Sequence, residues 1–266
     1  MLRLVEVEFR KLRGSLVLLL IALPPLLPSL LIALAIASHN EPPQWAQMLD
    51  RLTLPLWAMF LNPTLLATLA ALMGDIEYRN NGWDFTLTQP HSRWSIFLAK
   101  LTVIVPLHAA MIALAVGFAV AMGAAVGAIT GRVPTGDLSL PELALFVLRI
   151  TAGSFGILAL QLWVALRWRN FLLPLSLGIG GTLVALAVLL TGTSDADWFP
   201  WVVALRSGLA EDAVGFAWTG LAMGFAFCAL MLDWHAKLEA KGEGDLMYIY
   251  FVTTAPGSKT ERKLPD

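Results

Sequence analysis

Polar and apolar positions in this chain do not alternate at a helical or strand period over most of their length; they segregate into long blocks. Charge-free runs of about 20 residues are what a helix needs to cross a hydrocarbon core of ~30 Å. Such runs occupy residues 16–37, 52–74, 101–129, 171–191 and 213–232, and a sixth, 143–166, carries one charge, Arg149, near its start. The pattern predicts an all-α, polytopic membrane bundle with six transmembrane helices. The segment before the first run behaves differently. Leu2, Val5, Phe9 and Leu12 recur at intervals of three and four, with Arg3, Glu6, Arg10 and Arg13 on an adjacent stripe. This is the signature of an amphipathic helix lying in the interface, so residues 1–15 are expected to form an N-terminal interfacial helix that turns into the first span at Gly14 and Ser15.

Composition strengthens the membrane reading. Only 14% of the 266 residues are charged and 58% are apolar, against roughly a quarter charged in soluble domains; a water-exposed surface could not be built from so few. The 18 Lys and Arg residues are also unevenly placed. Arg3, Arg10, Lys11 and Arg13, then Arg79, Arg93 and Lys100, then Arg167 and Arg169, and finally the tail lysines fall on one side, whereas Arg51, Arg132 and Arg206 fall on the other. Basic residues of short loops mark the cytoplasm, which predicts cytoplasmic N- and C-termini and a multi-pass protein of the plasma membrane. Tryptophans near the run ends, among them Trp45, Trp57, Trp198 and Trp201, are expected in the headgroup layer.

Outside the spans the chain offers docking surfaces rather than chemistry. Residues 75–100 form the longest cytoplasmic loop, and they place Trp83, Phe85, Leu87 and Trp94 among charges. Apolar rings offered to water at this density suggest a partner. On the outer side, residues 198–211 have the spacing of a short helix in the interface. The cytoplasmic tail, 233–266, is polar apart from Leu246–Val252, which reads as a strand or as a segment packed on a partner.

Enzymatic readings find little support. The tail's Gly257-Ser-Lys-Thr260 lacks the glycine spacing of a phosphate loop. The four histidines are scattered, so no metal site is expected, and the lone Cys228 lies within a span. Gly153-Ser154-Phe155-Gly156 has no activating base in evident reach. Polar residues within spans are costly and are functional candidates by default; here they are Asn62, His108 and Gln161, candidates for a translocation path. No span carries a central carboxylate, as an ion-coupled transporter would need, so the driving energy is expected from outside the chain. A membrane scaffold, a membrane-embedded enzyme subunit and an autonomous secondary transporter remain as alternatives.

Two stretches carry a family resemblance: Glu8-Phe-Arg-Lys-Leu-Arg13, and Glu77-Tyr-Arg-Asn-Asn-Gly-Trp83 with Leu87-Thr-Gln-Pro-His-Ser-Arg93 and Ala99-Lys100. In these the chain resembles the membrane subunits of ATP-binding-cassette exporters, the type-two permeases that include bacteriocin and lantibiotic self-protection transporters. The resemblance implies a connecting helix in the first stretch. In the second it implies a coupling helix that docks on a separate ATPase, with Glu77, Tyr78, Arg79, Trp83 and Arg93 as contact residues and Arg167–Asn170 as a smaller contact. It further implies a second permease copy or sister subunit, and ATP and Mg held by the ATPase with no cofactor in this chain. Amphiphilic peptides, lipid-like molecules or drugs are the expected cargo; lipid is a partner and nucleic acid is not. The long tail departs from the family pattern.

Overall fold

The computed structural model describes residues 2–38, 41–78, 93–168 and 170–240, without the side chains of Leu2, Arg93 and 233–240. Every regular element among them is helical, and the sole β feature is an isolated bridge between Gln44 and Thr135. The chain divides into two compact units, Met1–Phe225 and Ala226–Asp266. In the second, the described residues are the end of the last helix.

The expected N-terminal helix is present as α1, Leu2–Lys11. Its Val7 and Phe9 are about half exposed, while Leu12 just beyond it is buried. Gly14, at φ +78°, makes the turn into the first span; this left-handed conformation disfavours any residue with a Cβ. Ser15 then caps α2, Leu16–Ala22, by accepting from the Val17 N–H. The first span runs on as α3, Leu26–Ser38, the interruption falling at Pro24 and Pro25 where ring and missing N–H disfavour a continuous ladder.

The second span is longer than its charge-free run. Helical backbone extends from Trp45 to Tyr78 as α4 (Trp45–Met48), a π-helical segment (Leu49–Thr53), α5 (Leu54–Leu56), a second π-helical segment (Trp57–Leu61) and α6 (Asn62–Tyr78). The third span likewise begins early, in α7, Arg93–Thr130. The expected loop 75–100 is therefore corrected: 75–78 and 93–100 are helix, and the connection shrinks to 79–92, which lies outside the described residues. The fourth span is not one rod. α8, Leu140–Gly153, and α9, Phe155–Arg167, meet at Ser154 with a bend of 47°. α10 (Leu172–Thr191), α11 (Pro200–Leu209) and α12 (Ala213–Ala240) follow. Among the described residues, five helices are long and apolar enough to cross a membrane, or six when the bent pair counts as one span.

Packing is closest where side chains vanish. A Cβ at Gly74 of α6 would lie 2.6 Å from the Ala165 carbonyl oxygen of α9, so only glycine permits this approach. The Arg132 guanidinium donates to the Ile36 and Ala37 carbonyls (3.2 and 3.1 Å), closing the end of α3 as basic groups do at helix C-termini. Of the four tryptophans expected to face headgroups, three, Trp45, Trp57 and Trp201, are buried against protein, and with Trp201 the inward face of α11 packs among the spans; Trp198 is well exposed. Alone, the sequence pattern could not separate an aromatic at a span end from one in a core.

Candidate functional site

Two polar clusters lie within the bundle, at different heights. The first is at the span ends that flank residues 79–92. α1 supplies Glu8 and Lys11, the last turn of α6 supplies Glu77, and the early part of α7 supplies Lys100. The Lys11 ammonium donates to Glu8 (2.8 Å) and to Glu77 (2.7 Å); the Lys100 ammonium donates to Glu77 (2.6 Å) and to the second oxygen of Glu8. Cations and carboxylates thus alternate in a closed, neutral ring. Glu8, Glu77 and Lys100 are at most 2% exposed, and Lys11 is the open corner at 27%. Ions so far from water carry several kcal/mol of desolvation each, and only matched charge with full hydrogen bonding offsets this. Burial alone would depress the Lys11 pKa, but the hydrogen bonds and charges of Glu77 and Glu8 outweigh it and hold it above the ordinary lysine value.

The ring is joined to a fourth helix. The Tyr78 hydroxyl donates to the Leu166 carbonyl at the end of α9. Arg167 then lies over the Trp168 ring at 5.6 Å, and Trp163 meets Trp168 edge-on. The two segments that the sequence marks for partner contact, 75–100 and 167–170, therefore involve helices tied to each other.

The second cluster lies in the middle of the spans and carries no formal charge. His108 Nε2 and Asn62 Oδ1 are 2.7 Å apart, and Asn62 Nδ2 donates to Ser154 Oγ at 2.9 Å. Asn62 opens α6 where the π-helical segment ends, and Ser154 is the bend between α8 and α9, so this chain pins two backbone irregularities to α7. Gln161, one layer away on α9, braces α10. With its amide oriented to satisfy both neighbours, Nε2 donates to the Pro174 carbonyl (3.0 Å) and Oε1 accepts from the Gly178 N–H (3.1 Å). All four side chains are completely buried.

Of the residues singled out from sequence, Glu77 points into the ring and Tyr78 toward α9. Arg79 and Trp83 lie outside the described residues, as does the side chain of Arg93. Glu8, Lys11 and Lys100 lie in the stretches that carry the family resemblance, and Ser154 in a stretch weighed for a nucleophile, but none was expected to hold the bundle together; nothing local pairs residues up to 92 positions apart. Among the described residues no group of His, Cys, Asp and Glu could hold a metal ion.

A bundle of membrane-length helices, cross-braced by buried polar groups, defines a polytopic helical membrane protein. Residues 4–185 match the family model described as ABC-2 family transporter protein, which spans α1, both polar clusters and most of α10. The chain belongs to that family and is an ABC transporter permease, the membrane component of such a transporter. No curated protein and no solved structure matches it.

Proposed function

We propose that this permease exports an amphiphilic or lipid-like substrate, peptide or drug, using ATP hydrolysed with Mg by a separately encoded ABC ATPase. It works as a pair of permease subunits in the plasma membrane, with both termini in the cytoplasm. The observation that favours this mechanism is the charge ring. It fastens the two helices that flank 79–92 to an interfacial helix and, through Tyr78, to α9. A push on 79–92 would therefore move several spans as a body instead of being absorbed by a loose loop. In this reading Arg79, Trp83 and Arg93 contact the ATPase, while Glu77 and Tyr78 transmit from behind. Asn62, His108 and Gln161 stay enclosed in the state described and would reach a path only if the spans separate. The apolar character of those spans, free of central carboxylates, supports amphiphilic cargo.

Purification from native membranes tests the reading. An ABC ATPase should accompany the permease, its hydrolysis should rise in the complex, and Arg79→Glu with Trp83→Ala should weaken that rise while the permease stays folded. Ion-gradient-driven transport by this chain alone in liposomes, with no ATPase in the preparation, would overturn it.

A further inference from the structure

A cavity of about 330 Å³ opens where α1 turns into the first span, between that turn and the last turns of α6. This is at the lower end of the ~300–1,000 Å³ usual for small-molecule sites. Its lining combines two chemistries. Lys11 and Arg13 line it with Asp75, so the cations outnumber the carboxylate, and Leu16, Leu72 and Ile76 supply apolar surface. Arg13 is exposed and forms no ion pair among the described residues. Lys11 gives two of its three ammonium protons to Glu8 and Glu77 and so retains one donor. The apolar surface continues along α2, where Leu16, Leu19 and Leu23 recur on one face and are each more than half exposed. A cationic mouth above a leucine track is the outline of a phospholipid, with its phosphate at the interface and its acyl chain descending the helix.

We propose that this cavity is a phospholipid site, in which Arg13 and the free donor of Lys11 hold the headgroup phosphate and the leucine face of α2 carries one acyl chain. The site is independent of which cargo the permease exports or what drives it. It does share Lys11 with the charge ring, so an occupying phosphate draws on the same ammonium that joins α1 to Glu77. The lipid of that leaflet thereby bears on how firmly the interfacial helix is fastened.

The test is native mass spectrometry of the full-length chain, delipidated in detergent and titrated with phosphatidylglycerol, with diacylglycerol as the phosphate-free control. Phosphatidylglycerol should bind and diacylglycerol should not. Arg13→Gln should weaken retention roughly tenfold, the effect of one charge-assisted hydrogen bond, and Arg13→Lys should recover part of it. Arg10→Gln removes the same charge three residues earlier, on α1, but Arg10 does not line the cavity, and it should leave retention unchanged. Equal losses in Arg10→Gln and Arg13→Gln would reduce the effect to diffuse attraction and overturn the site. So would unaltered retention in Arg13→Gln, binding of diacylglycerol, or displacement of the lipid by excess inorganic phosphate.

Discussion

The two polar clusters solve one problem at two depths. Near the span ends the protein uses four full charges in a closed ring; in mid-span it uses an uncharged chain of Asn62, His108 and Ser154. Both hold α6 to α7, so this helix pair is pinned twice along its length. The difference follows from the surroundings. At the ring, Lys11 still reaches solvent, and matched charges tolerate burial; in the middle, neutral hydrogen-bonding groups give direction without the ionic desolvation cost. Charge therefore secures the end where force would enter, and amide and hydroxyl groups secure the part that must remain within lipid.

The largest expected effect tests the ring's need for balance. Lys100→Met removes one of the two ring cations that hold Glu8 and Glu77, and should cost about 3–5 kcal/mol, read as a fall in melting temperature and in folded yield of the purified permease. Adding Glu77→Gln to Lys100→Met removes the surplus buried carboxylate and leaves Glu8 matched by Lys11, and should recover part of that loss. If the double change is no better than the single one, charge balance in the ring is not the stabilising term. The neutral chain should matter less. Asn62→Leu strands the hydrogen-bonding groups of His108 and Ser154 at about 1–3 kcal/mol, and combining it with His108→Phe should cost less than the two separate losses together. Gly74→Ala, which touches neither cluster but forces α6 away from Ala165, should cost about 1–3 kcal/mol by overpacking. Thermal unfolding in one detergent ranks all of these. Smallest of all, removing the exposed Arg10–Glu6 pair by Arg10→Gln should shift stability by under ~1 kcal/mol.

The ring also makes a pH prediction with a definite sign. The Lys11 pKa is raised in the folded protein, so its contribution is fully present below the ordinary lysine value and is lost only as pH climbs through the raised one. Lys11→Gln should therefore reduce stability uniformly across neutral pH, with the gap from the parent protein narrowing only under strongly alkaline conditions.

Span number and the interfacial helix were legible in the sequence because both depend on local pattern: charge-free runs for one, spacing of three and four for the other. Span ends were not. Counting uncharged residues stops at Gly74 and resumes at Leu101, whereas helix runs on to Tyr78 and starts again at Arg93, because Glu77 and Lys100 neutralise each other through space. Asn62, His108 and Gln161 stood out as polar residues in apolar runs, but nothing local showed that Asn62 would meet Ser154 across 92 positions. The bend at Ser154 was hidden for the same reason. A Gly-Ser pair suits a helix interior and a break alike, and the contact across the bundle decides between them.

The π-helical segments at 49–53 and 57–61 make residue number an adjustable quantity in one half of this span and a fixed one in the other. A π turn houses a residue beyond those of an α turn. Deleting one residue there would let the backbone relax to ordinary helix with Asn62 and Glu77 still facing their partners. The same deletion within α6, which has no surplus residue, would rotate everything beyond it by about 100° and shift it by about 1.5 Å, swinging Glu77 off both lysines. A length change that leaves hydropathy untouched is therefore absorbed at 49–61 and felt at the charged end when it falls in α6.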